Sequence, residues 1–487
     1  DVNGVTIGSS EQTVIESGSG KIDDVTVTGT GVLTARAKDG VSLKKSDGDL
    51  VINTVYASEG DVRLDVGENS LLAEDGHDTS GDETGTTYTN VEGKNITITN
   101  AKNIKGASDG ASLGMKVTGT KAKDGSETPG VITAKAAGNA DITLFGKAAS
   151  DQIDIEAGDL TLTSRGDISD GSYKAKNALR VHTAKDGIIS GGNFSGGTAD
   201  ITNAGKMSGG AYTAKGTMGI TNEGTVENGT YTAETGAMTI TNRGKLSAGA
   251  YTAKAGTMGI TNRKTIENAA FTAGGALTYD GNADSTVTET TMTGASVDIT
   301  NAGTLTNGSY TAETGAMTVK NSGKLSSGTY TAKAGTMGIT NQGTIENGEY
   351  TSHGNLTYTD TAGASLSGGT LIAEEGKAKI TAHGVLQIKK LSAKDNATVE
   401  ADHDVTLNEV EAGTLAVSSG GSVNAGTLTA TTGDAKVTAK TDATIGTLKA
   451  ETGSTTVEAT DGKLGVTTLD AKSLTAKAGT TLSAKTL

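Results

Sequence analysis

GTMGITNEGTVENGTYTAETGAMTITNRGKLSAGAYTAKAGTMGITN, from Gly216 to Asn262, says nearly the same thing twice and then starts again. Following one position outward gives Leu162, Val181, Ile201, Ile220, Ile240, Ile260, Tyr279, Ile299, Val319, Ile339 and Tyr358, at gaps of 19 or 20 residues. A fixed period in that range marks a solenoid, in which each repeat is one coil stacked on the last. Within Met218-Gly219-Ile220-Thr221-Asn222 large residues alternate with small or polar ones, the period-two pattern of a strand. Gly-containing turns at Glu223-Gly224 and Asn228-Gly229 separate this strand from short ones around Val226 and Tyr231. Three short strands per coil of about 20 residues predict an all-β fold, a parallel β-helix solenoid. A leucine-rich repeat shares the period, but its Leu-x-x-Leu-x-Leu frame is missing. At about 4.8 Å per coil, about 24 coils would make a rod of about 115 Å.

Composition agrees with a narrow core. Of 487 residues 71 are Gly, only three are Phe, and Trp and Cys are absent, so no large aromatic core and no disulfide scaffold can form. A single Pro and recurrent Val, Ile and Thr argue against disorder. The net charge of −15 disfavours nucleic acid and anionic lipid as partners. No apolar run reaches the roughly 18 residues of a membrane span. The chain opens on Asp1, and its end, GTTLSAKTL, stops in mid-pattern, which predicts a piece of something longer.

Three textures divide one continuous solenoid. Residues 1–150 are irregular with loop insertions, 151–380 hold regular coils of 19–20 residues, and 381–487 change to LxAxxxxxxVxA, a pattern expected to continue past the chain end. Residues 231–260 match 310–339 at 25 of 30 positions, an offset of 79, which suggests duplication of a four-coil block.

Stacked coils align like residues into ladders. Asn203, Asn222, Asn242, Asn262, Asn301, Asn321 and Asn341 form one, expected to bond the backbone and the Asn of the next coil. Tyr231, Tyr251, Tyr310, Tyr330 and Tyr350, with Tyr173, Phe194, Tyr212 and Phe271, form another, expected to fill the core rather than stack sugars outside. Met218, Met238, Met258, Met317 and Met337 make a third stripe.

Few groups offer chemistry. Arg165-Gly166-Asp167 is the tripeptide that some adhesins present to integrins, but alignment with Thr239–Lys254 puts Arg-Gly at the ordinary coil turn. Asp75, Asp78, Asp82 and Glu83 crowd one acidic insertion; they are weak candidate ligands for Ca²⁺, since the EF-hand and nine-residue Ca²⁺-binding frames are absent. His383 and His403 lie one coil apart with Asp402 and Asp404 beside the second, but no third clear metal ligand accompanies them. No other cofactor is expected. The Thr-rich strands are similar to ice-binding solenoids, but Lys320 interrupts the column of Thr221, Thr241 and Thr261.

The coils ITNAGTLTNGSYTAET (Ile299 to Thr314) and ITNEGTVENGTYTAET (Ile220 to Thr235), with EGDVRLDVGENSLLAEDG (Glu59 to Gly76), resemble the filamentous-haemagglutinin-like adhesins secreted by the two-partner or related routes. The resemblance implies a right-handed β-helical stalk outside the cell, at a bacterial surface or in a biofilm matrix. Its partners would be extracellular polysaccharide, a host or bacterial cell surface, or further copies of the chain. A structural surface filament or layer protein without its own ligand shares these features. A β-helical polysaccharide lyase or hydrolase is the remaining alternative, but the scattered carboxylates and regular central coils favour a chain that is not an enzyme.

Overall fold

The computed structural model describes residues 1–74, 89–108, 111–155 and 158–486, and these contain strands and turns but no helix. They form two compact units, residues 1–255 and 256–487. Each is a β-solenoid of parallel strands, as the 20-residue period predicts.

One coil of the first unit shows why the sequence folds this way. Met218–Asn222, Thr225–Glu227 and Thr230–Ala233 are its strands. Met218, Ile220 and Asn222 point inward from the first, Val226 from the second, and Tyr231 and Ala233 from the third, while Thr and Gly take the outer positions. The next coil repeats these choices in register: Met218 lies beside Met238, Ile220 beside Ile240, Asn222 beside Asn242, Val226 beside Leu246 and Tyr231 beside Tyr251. Turns join the ladder too, with Glu223 N donating to Asn203 O at 2.7 Å and Thr225 N to Gly205 O at 2.9 Å. Strands and turns alike thus find backbone partners one coil away, which a core this thin requires.

The second unit repeats the plan. Met317, Val319 and Asn321 sit beside Met337, Ile339 and Asn341, and Tyr330 beside Tyr350. Register spacing ranges from 18 residues (Val405 to Val423) to 22 (Leu356 to Ala378), and the variation is taken up in turns and in register shifts where long strands round a corner, as between Ala393 and Asn396. The turn before each Tyr strand needs a left-handed residue: Asn228 has φ 55°, Asn307 53° and Asn347 52°. Asn tolerates that region, and the Gly after it leaves room for the ring, since a Cβ on Gly308 would lie 2.2 Å from the Tyr310 hydroxyl oxygen.

Both flanking regions keep the stack and alter the coil. In the first unit Val62 pairs with Ile96, and Ile96 with Ile132, because insertions lengthen those coils. One insertion is an antiparallel hairpin of Thr120–Lys121 and Glu127–Thr128. In the second, strands such as Val385–Ala401 and Ala443–Ala459 run through corners with Leu, Val and Ala inside and no aromatic residue.

Candidate functional site

The Asn ladder is a directional chain of amides. Asn203 Nδ2 donates to Asn222 Oδ1 at 2.8 Å, and Asn222 Nδ2 to Asn242 Oδ1 at 2.8 Å. In the second unit Asn301 donates to Asn321 at 2.8 Å and Asn321 to Asn341 at 2.9 Å. Each Nδ2 also reaches turn carbonyls, as Asn321 does to Gly323 and Thr344. Asn203 and Asn301 begin their runs, and their Oδ1 atoms lack a donor. This arrangement holds corners together and offers a ligand nothing, because all these amides are buried.

Tyrosines at the ladder position likewise face inward. Tyr212 stacks on Tyr231 with ring centroids 4.8 Å apart and planes 7° from parallel; Tyr330 and Tyr350 stack at 4.8 Å and 12°. Burial pushes these phenols well above the usual tyrosine range. They fill the core and cannot stack sugars.

Asn341 ends its run, and Asp360 takes the ladder position on the next coil. Tyr358 stands where other coils have Ile, and its hydroxyl accepts from Asn341 Nδ2 at 3.2 Å while donating to Asp360 Oδ2 at 3.0 Å. Asp360 is 2% exposed. Its Oδ1 accepts the backbone N–H groups of His383, at 2.5 Å, and Gly384, at 3.2 Å, on the next coil. The signal was available: Asp360 follows Asn341 by 19 residues, one coil, in the position that carries Asn in seven coils. The Ile-to-Tyr exchange also occurs earlier, where the Tyr279 hydroxyl accepts from Asn262 Nδ2 at 3.4 Å, but there Gly281 and not Asp takes the place of the next Asn.

Above this buried carboxylate the molecule opens into a groove of about 680 Å³. Four coils line it, contributing Ala362–Ser365, His383–Gln387, then His403, Asp404 and Thr406, and finally Gly420 and Gly421. Turn length is the cause. Between register-matched positions, Gln342-Gly343 and His383-Gly384 have two residues, whereas Thr361–Ala364 has four and stands proud of its neighbours. Gly363, at φ 89°, has nothing within 4 Å of the place where a Cβ would sit. The structure does bring His383 and Asp402 together: Nδ1 and Oδ2 are 2.7 Å apart. That hydrogen bond, and then the carboxylate's charge, hold the imidazole above the usual histidine range. Asp404 Oδ1 accepts Ser422 N at 2.6 Å. Among the described residues, no three His, Asp or Glu side chains are placed to hold a metal ion.

Arg165-Gly166-Asp167 lies in the first unit, where a corner runs into the strand Asp167–Ser169. Arg165 N donates to Leu144 O at 2.9 Å, Ile188 N to Gly166 O at 2.9 Å, and a Cβ on Gly166 would lie 2.1 Å from Gly146 O. Its backbone is therefore fixed between two coils rather than displayed on a loop. Asp75, Asp78, Asp82 and Glu83 lie outside the described residues. No helix among the described residues is long and apolar enough to cross a membrane.

No family model, curated protein or solved structure matches this chain.

Proposed function

We propose that this chain is a stalk segment of a secreted bacterial adhesin, placed at the cell surface or in a biofilm matrix, that serves cell–cell or cell–surface attachment. The observation that carries the reading is the repeated inter-coil register of the regular coils, in which like side chains and backbone groups bond the same neighbours coil after coil. Tension along the stacking direction would load many hydrogen bonds at once, and each coil that opened would expose a buried amide and a buried ring. Such a design serves projection and spacing. Extracellular polysaccharide and cell surfaces are the partners that fit, through contacts multiplied over many copies.

The test is co-sedimentation of the folded 487-residue chain with extracellular polysaccharide and with intact cells. Saturable binding is expected. A folded chain that sediments with neither would replace this reading with that of a structural filament lacking its own ligand.

A further inference from the structure

We infer that the groove between Thr361–Ala364 and Gly420-Gly421 is a binding site for a short stretch of a neutral polysaccharide. The ligand class rests on the proposed attachment to polysaccharide; the existence of a site rests on the groove itself.

Its shape is the first reason. Crossing four coils, it spans three coil spacings, about 14 Å. Its volume falls within the range of about 300–1,000 Å³ common to small-molecule sites. Its lining is the second. Planar polar groups meet from different coils: the imidazoles of His383 and His403 and the Gln387 amide, which can donate and accept, and the Asp404 carboxylate, which accepts, with Ser365 and Thr406 hydroxyls beside them. Among them Val385 is 54% exposed, an apolar spot against which the C–H face of a sugar ring can lie.

Rigidity is the third reason. The floor of the groove is fixed from below by the Asp360 carboxylate, which holds the His383 and Gly384 amides. From the side Asp402 fixes the His383 ring through Nδ1, leaving Nε2 without a bond inside the protein. Asp404 is oriented by Ser422 N. A side chain held this way loses little entropy when a ligand arrives. The fold does not demand the imidazole: after the related four-residue turn Asn282–Ser285, the position matching His383 is Ala302.

Charge selects among saccharides. Asp404 lines the site, Asp402 and the buried Asp360 bond His383 beside and beneath it, and no Lys or Arg lines it. A uronate or sulfated sugar would bring a further negative charge to three carboxylates, with no Lys or Arg to receive it and the His383 ring already paired with Asp402. Neutral sugars meet no such penalty, and their vicinal hydroxyls suit a carboxylate that accepts and imidazoles that donate.

Calorimetric titration of the full chain with neutral hexasaccharides (a β-1,4-glucan, an α-1,6-glucan and a mannan) and with a galacturonate hexamer tests this. We expect one neutral series to bind and the galacturonate not to. Affinity should fall at least about tenfold in His403→Ala and in Asp404→Asn, where the amide oxygen can still accept from Ser422. His182→Ala, on the first unit, should leave it unchanged. Binding of no neutral hexasaccharide, equal binding by the variants, or preference for galacturonate would each overturn the proposal. The two readings separate in co-sedimentation. A wild-type chain and an Asp404→Asn variant that pellet equally with polysaccharide would sink the groove and leave attachment standing. Hexasaccharide binding without pelleting would do the reverse.

Discussion

Single residues decide how well the narrow core is satisfied. Thr183 occupies the Asn-ladder position one coil before Asn203; it is buried, its hydroxyl has no partner, and Asn203 Oδ1 lacks a donor. Thr183→Asn should extend the amide chain and stabilise its coil by about 1 kcal/mol, read as slower amide exchange around residues 178–206. Tyr330→Phe should likewise be neutral or stabilising by about 1 kcal/mol, because it removes a buried hydroxyl that bonds nothing and keeps the stacked ring; a drop in thermal midpoint would show that the hydroxyl is satisfied. Asp141 differs in being an outward, half-buried carboxylate, raised from 3.8 to about 6 by desolvation, with Arg180 opposing the shift. A raised folded-state pKa means that the protonated form favours folding. That contribution is complete below 3.8 and is lost as the pH rises through about 6. Asp141→Asn should therefore raise the thermal midpoint near about pH 7 and give no gain near about pH 3.5.

At the scale of a coil, the question is how far damage travels. Asn321→Ala removes donations to Asn341, Gly323 and Thr344 and leaves Asn301 Nδ2 without its Asn acceptor. The expected cost is about 2–4 kcal/mol, since each buried group left unsatisfied costs about 1–3 kcal/mol. Because a coil contacts chiefly its neighbours, lost exchange protection should stay within about one coil of residue 321. Protection lost throughout the second unit would contradict this. Surface ion pairs between coils matter far less. Lys333 and Glu313 meet at 2.8 Å, but both side chains are about half exposed, so Lys333→Ala should change stability by under about 1 kcal/mol.

For the whole molecule, stacking without one shared globular core predicts unfolding in stages. Trp is absent and nine of eleven Tyr lie between Tyr173 and Tyr358, so intrinsic emission reports on the central coils, whereas far-UV circular dichroism reports on every strand. Urea transitions followed by the two signals should have different midpoints. Coincident curves would mean cooperativity extending well beyond neighbouring coils.

Periodicity, turn chemistry and the inward set were legible in the sequence for a physical reason. A strand permits only period-two alternation, and a coil of constant length places like residues one above another, so Ile220, Asn222 and Tyr231 announce their own neighbours. Asn-Gly corners were legible for the same reason, being local demands on φ. The groove was not. The sequence places His383 and His403 one coil apart, yet the side-chain bond in the fold joins His383 to Asp402, and Asp360 lies beneath them. Those contacts join residues 19 to 24 apart through a corner whose neighbouring turn is two residues longer. The residue list records that extra length, but only stacking the coils converts it into a recess. Tripeptide Arg165-Gly166-Asp167 was legible by contrast, since repeat alignment puts Arg-Gly at a coil turn and the coils on either side bond its backbone. Local chemistry and period thus belong to the sequence, while depth, access and the partners of a corner belong to the fold.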